Sequence, residues 1–162
     1  MPINVGDKAP DFELFNQDAE KVSLGDYKGK NVVLLFFPLA NTGVCTTEMC
    51  TFRDELKDYE DLNAQVLGIS IDSPFTLKMW QEKNNYNFPL LSDFNKEVSS
   101  KYGALYDVFA PGKFDFKGVA KRSAFVIDKE GAIKYAEVLE DFTKEPNYEA
   151  IKKTLEEIKQ KL

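Results

Sequence analysis

Apolar positions along this chain follow two rhythms, and the change from one to the other marks its centre. Residues 31–37, Asn-Val-Val-Leu-Leu-Phe-Phe, form a continuous apolar run of the kind shown by a strand buried on both faces of a parallel sheet. From Cys45 onward apolar positions fall at steps of four and three, at Cys45, Met49, Phe52, Leu56 and Tyr59, which predicts one amphipathic helix starting near Thr46 and ending near Asn63. Residues 66–71, Val-Leu-Gly-Ile-Ser-Ile, read as the next strand, and Asp72-Ser-Pro leads into a helix of about ten residues carrying Phe75, Met79 and Trp80. Strand, helix, strand and helix in succession predict an α/β fold with parallel strands at the centre of the sheet.

The flanking segments extend that sheet. Residues 12–15 and 21–24 are short alternating runs separated by a polar stretch, the pattern of an N-terminal hairpin. Phe88-Pro-Leu-Leu reads as a short strand, residues 96–102 as a short helix closed by Gly103, and residues 106–117 as a long aromatic loop containing Pro111 and Gly112. Residues 123–128 and 133–139 form a second hairpin, and Tyr148, Ile151, Leu155, Ile158 and Leu162 mark a C-terminal amphipathic helix that packs on the sheet. The expected architecture is a central mixed sheet flanked by helices. No repeat or linker interrupts it, so 162 residues suit one domain, 1–162.

Composition narrows the chemistry. The chain has 21 Lys and Arg against 27 Asp and Glu, a net charge of −6, with no long basic run; nucleic acid and anionic membrane surfaces are therefore not expected partners. No apolar stretch approaches the roughly 20 residues of a bilayer span, and the first residues lack the apolar core of a signal peptide, so a cytoplasmic protein is expected. The absence of histidine removes Cys–His and Ser–His–Asp hydrolysis and the commonest metal ligand. Two cysteines five positions apart cannot staple a secreted scaffold, and in a reducing compartment such a pair points to catalysis.

Between the buried strand and the first helix lies Pro-Leu-Ala-Asn-Thr-Gly-Val-Cys, residues 38–45. A strand thus delivers Cys45 to a helix start, where unpaired N–H groups and the helix dipole favour a thiolate. Pro38, Thr42 and Cys45 reproduce the Pro-x-x-x-Thr-x-x-Cys signature of the peroxiredoxins, and the chain resembles that family along nearly its whole length. Arg122, in Lys-Arg-Ser-Ala-Phe-Val-Ile-Asp, sits where the family keeps an active-site arginine. The 38–45 stretch, Met79-Trp80 and Phe-Pro-Leu-Leu-Ser-Asp (88–93) resemble the alkyl hydroperoxide reductase E group, whereas the Cys45/Cys50 spacing resembles the Q group, or bacterioferritin comigratory protein.

The resemblance implies a thioredoxin-like fold, a hydroperoxide substrate, a thioredoxin-type or glutaredoxin-type reductant, no metal, haem or nucleotide, and a monomer or homodimer. It also implies roles that the residue types suit. Cys45 would attack a peroxide oxygen and become a sulfenic acid. Arg122 would offer its rigid fork of donors to thiolate and peroxide. The Thr42 hydroxyl both donates and accepts, and Pro38 stiffens and dries the loop. Glu48, in the first helical turn, either complements the helix dipole or orients an arginine. Trp80 either lines the pocket or packs in the core.

Cys50 presents a geometric problem. Five helical steps place it about 140° around from Cys45 with Cα atoms about 8–9 Å apart. A disulfide needs about 7 Å or less, so pairing demands local unwinding of the helix. Cys50 falls with Thr46, Arg53, Asp54 and Lys57 on the polar side, which together with the resemblance makes it the expected resolving cysteine. The alternatives are a one-cysteine enzyme resolved by an external thiol, a dithiol oxidoreductase acting on protein disulfides, and a redox-sensing interaction module.

Overall fold

The computed structural model describes residues 3–160, so the helical position expected at Leu162 lies outside the described residues. In chain order these contain β1 (Glu13–Asn16), β2 (Lys21–Ser23), a 3-10 turn (Leu24–Tyr27), β3 (Asn31–Phe36), α1 (Gly43–Asp54), α2 (Leu56–Asp61), β4 (Ala64–Ser70), α3 (Pro74–Asn84), β5 (Leu90–Ser92), α4 (Glu97–Lys101), β6 (Ser123–Ile127), β7 (Ile133–Val138) and α5 (Tyr148–Gln160). The strands make one seven-stranded mixed sheet in the order β2-β1-β5-β4-β3-β6-β7. β3, β4 and β5 run parallel at its centre, and antiparallel pairs extend it on both sides. This is the expected α/β architecture, hairpin included.

The period of two along β3 explains how one apolar run serves two cores. Val33 and Leu35, followed by Phe37, enter the cluster under α1, α3 and α5; Val32, Leu34 and Phe36 enter the cluster on the opposite face, where α4 contributes Val98. On the first face α1 supplies Met49 and Phe52, α3 supplies Leu77 and Trp80, and α5 supplies Ile151 and Leu155. Gly68 of β4 lets these layers close: a Cβ there would stand 3.0 Å from Leu90 Cδ2 and 3.3 Å from Phe37 Cε1. No described helix is long and apolar enough to cross a membrane.

Two expectations are corrected. The helix expected to run unbroken to Asn63 starts at Gly43 and breaks at Glu55 into α1 and α2. Thr47 and Thr51 return their hydroxyls to the carbonyls of Gly43 and Thr47, a back-bonding that bends helices. β5 begins two residues later than expected because Pro89 has no N–H to donate to a ladder. In α3 the apolar residues do not all face inward: Trp80 is buried, whereas Phe75 and Met79 are 76% and 74% exposed. The aromatic 106–117 loop holds no strand, only the bridge between Phe109 and Phe116.

Candidate active site

The parallel strands end together, and the loop leaving β3 builds the site. Phe37 and Pro38 are buried, the chain turns at residues 39–41 with Asn41 left-handed at φ +65°, and Thr42 is the N-cap of α1. Asn is among the residues that tolerate this conformation, so a tight entry to the helix needs no glycine there. Cys45 is then the third helical residue, in the turn whose N–H groups lack carbonyl partners. Thr42 does not cap that turn: its Oγ1 donates to Leu39 O at 2.8 Å instead.

Three further steps along α1 bring Glu48 to the inward face, where both it and Cys45 have no solvent exposure. Arg122 comes from across the sheet. Antiparallel pairing sets Phe36 of β3 opposite Ser123 of β6, so the residue before β6 arrives beside the end of the buried strand. Its Nη1 donates to Glu48 Oε1 at 2.7 Å; its Nη2 lies 3.3 Å from Cys45 Sγ and donates to Phe142 O at 3.1 Å. One guanidinium, 1% exposed, thus holds the thiol, the carboxylate and the loop after β7.

Electrostatics here are set by one cation between two buried acids. Burial pushes the Cys45 thiol up from its ordinary value and outweighs the opposing pull of Arg122; the Thr42 hydroxyl, where it turns to the sulfur, works with Arg122, and the charge of Glu48 works with burial. Complete desolvation is thus an opponent of the thiolate that the helix-start argument did not include. Glu48 is pushed from 4.5 up to about 7, chiefly by burial, with Arg122 pulling back and Glu145 and Glu137 adding to the rise.

Cys50 and Trp80 lie on another side of α1, toward α3. Cys50 is not on a solvated face, as the helical wheel predicts, but half-buried against the core, its Sγ 3.9 Å from Tyr86 Oη. Trp80 is 1% exposed, stacks edge-on with Tyr86, and donates from Nε1 to Thr46 Oγ1 at 3.3 Å. Its place is the core, packed against α1, and not the Cys45–Glu48–Arg122 group. Both cysteines are free thiols. Sequence reasoning missed the contacts of Tyr86 and Asp72, the latter accepting the Ala40 N–H of the loop leaving β3 at 2.8 Å.

A buried thiol beside an arginine, at a helix start on a sheet of this topology, defines a thiol-based oxidoreductase of thioredoxin-like fold. Residues 5–136 match the AhpC/TSA family, and the chain belongs to that family of peroxiredoxins. It is 42% identical over 139 residues to the alkyl hydroperoxide reductase E of Mycobacterium bovis, covering 84% of this chain and 86% of that one. To the chloroplastic 2-Cys peroxiredoxin BAS1 of Spinacia oleracea it is 41% identical over 149 residues, covering 85% of this chain and 53% of the relative. Among solved structures, a peroxiredoxin-like protein from Aquifex aeolicus superposes with a TM-score of 0.86 at 31% identity, over 98% of this chain and 89% of that one. Peroxidoxin BcpB from Mycobacterium tuberculosis superposes with a TM-score of 0.84 at 30% identity, over 96% and 98%. The chain is accordingly a peroxiredoxin peroxidase, reducing hydroperoxides through thiol chemistry.

Proposed function

We propose that this chain is a cytoplasmic thiol peroxidase in which Cys45 is the peroxidatic nucleophile and Cys50 resolves it within the same chain. The Cys45 thiolate attacks the terminal oxygen of a hydroperoxide; the S–O bond forms as the O–O bond breaks, giving a sulfenic acid and an alkoxide that takes a proton and leaves as alcohol. The Cys50 thiol then condenses with the sulfenic acid, water departs, and an intramolecular disulfide remains. Two electrons from a thioredoxin-type or glutaredoxin-type dithiol restore both thiols.

The observation that carries this reading is the 3.3 Å contact of Arg122 Nη2 with Cys45 Sγ. A buried fork of donors at that distance stabilises both the thiolate and the charge growing on the departing oxygen. Thr42 at the mouth supplies a hydroxyl, and Pro38 walls the loop. The Arg122–Glu48 pair at 2.7 Å supports an orienting role for Glu48. One observation favours a second reading, a one-cysteine enzyme with an external resolving thiol: Cys50 is packed against Tyr86, which a spectator thiol would also do.

Intact mass with thiol counting, after one equivalent of hydrogen peroxide, separates the two. A loss of two mass units in the wild type, with a trapped sulfenic acid in Cys50→Ser, supports the intramolecular cycle. Sulfenic acid in both selects the second reading. No oxidation in either protein overturns the assignment of Cys45.

A further inference from the structure

The Thr42 hydroxyl has a single proton and two acceptors within reach, Leu39 O and the Cys45 sulfur. In this structure the proton goes to Leu39 O, at 2.8 Å, and the cap of α1 is given up for it. That carbonyl shares a planar peptide unit with the N–H of Ala40. The N–H end is held in turn, because Ala40 N donates to Asp72 Oδ2 at 2.8 Å. Asp72 is itself anchored to the sheet. The same Oδ2 accepts from Ser70 Oγ at 2.7 Å, and the Asp72 carbonyl accepts from Ser92 Oγ at 2.6 Å, both serines being buried strand ends. A carboxylate fixed to β4 and β5 therefore grips one end of a peptide whose other end receives the Thr42 hydroxyl.

We propose that Asp72 is a positioning residue for the peroxidase reaction: acting through the peptide joining Leu39 and Ala40, it keeps the Thr42 proton on Leu39 O and leaves the Thr42 lone pairs free to accept the proton of a bound hydroperoxide. A charged acceptor on the N–H polarises the amide and makes its carbonyl oxygen the stronger acceptor, so the two hydrogen bonds reinforce each other. The hydroperoxide is then oriented with its terminal oxygen toward Sγ. Asp72 neither gains nor loses a proton in the step, and its role rests on the Cys45 chemistry proposed above.

The test is made in a Cys50→Ser background, measuring the Cys45 thiol titration and the second-order rate of oxidation by tert-butyl hydroperoxide. Asp72→Ala is expected to slow oxidation by about tenfold, the scale of one well-placed hydrogen bond, and at the same time to lower the Cys45 pKa, because the Thr42 hydroxyl turns to the sulfur. Asp72→Asn, which keeps the shape and an acceptor oxygen, gives the same two signs at smaller size and stands in if the alanine variant does not fold. Adding Thr42→Val to either should cause no loss beyond that of Thr42→Val alone. A merely structural Asp72 would loosen the loop, raising the thiol pKa and adding its loss to that of Thr42→Val. Either result, or an unchanged rate, overturns the proposal. Absence of peroxide-dependent oxidation in the background protein itself strikes instead at the role of Cys45.

Discussion

Glu48 is fully buried beside a single cation that a second acid also needs. Its charge holds the Cys45 thiol up, and its own pKa lies at about 7, so the two groups titrate as a coupled pair around Arg122. Replacing Glu48 with glutamine keeps an acceptor for Arg122 Nη1 and deletes the charge. The sign follows directly. Above pH 7 wild-type Glu48 is ionised and opposes the thiolate; below pH 7 it is largely neutral and opposes it little. Glu48→Gln is therefore expected to titrate Cys45 at lower pH and to oxidise faster than wild type at pH 8, the advantage fading by pH 6. Stopped-flow rates with hydrogen peroxide across that range check it, and a slower variant at pH 8 would show that the carboxylate itself is needed.

At the scale of elements, the intramolecular cycle proposed above has to open the junction of α1 with α3. An unbroken α1 keeps the two sulfurs on different sides, and two contacts hold it closed, Trp80 Nε1 to Thr46 Oγ1 at 3.3 Å and Tyr86 Oη near Cys50 Sγ at 3.9 Å. Unwinding the first turns must break both. Tyr86→Phe removes one without opening a cavity, so it is expected to speed disulfide formation two- to fivefold, about the worth of a weak hydrogen bond, with little effect on the first oxidation. Trp80, the one tryptophan, reports the event through its fluorescence. An unchanged rate of the second fluorescence phase would remove Tyr86 from the latch. The same junction shows what the chain made legible. Pro38, Thr42 and Cys45 lie within eight residues, and Glu48 one helical turn on, so local spacing displays them. Arg122 depends on the pairing of β3 with β6 and was found only through family resemblance. The facing of Cys50 was misread because a helical wheel distinguishes polar from apolar neighbours on one element, whereas Tyr86 and Trp80 arrive from another. Asp72 is legible in the sequence only as the lead into α3 and not as a partner of the loop after β3, since what it holds is a backbone N–H thirty-two residues away.

For the whole molecule, the site imposes a pH dependence on folding. An acid whose pKa rises on folding binds its proton more tightly in the native state, so its contribution favours the fold below the unfolded pKa and is lost as pH rises through the folded one. Glu48 goes from 4.5 to about 7, with burial as the first cause and Arg122 opposing. Over that window the native state gives up a share of stability worth at most about 3.5 kcal/mol, from about 1.4 kcal/mol per unit. Glutamine does not titrate, so Glu48→Gln is expected to lose less stability than wild type between pH 5 and pH 8, and the difference between the proteins should widen steadily with pH. Urea midpoints at those two pH values, with the thiols kept reduced, measure it. Parallel curves would mean that Arg122 holds the carboxylate ionised throughout, and that the Cys45 thiol carries the shared proton at neutral pH. The stability measurement thus reads, without any substrate, which of the two buried acids is charged when peroxide arrives.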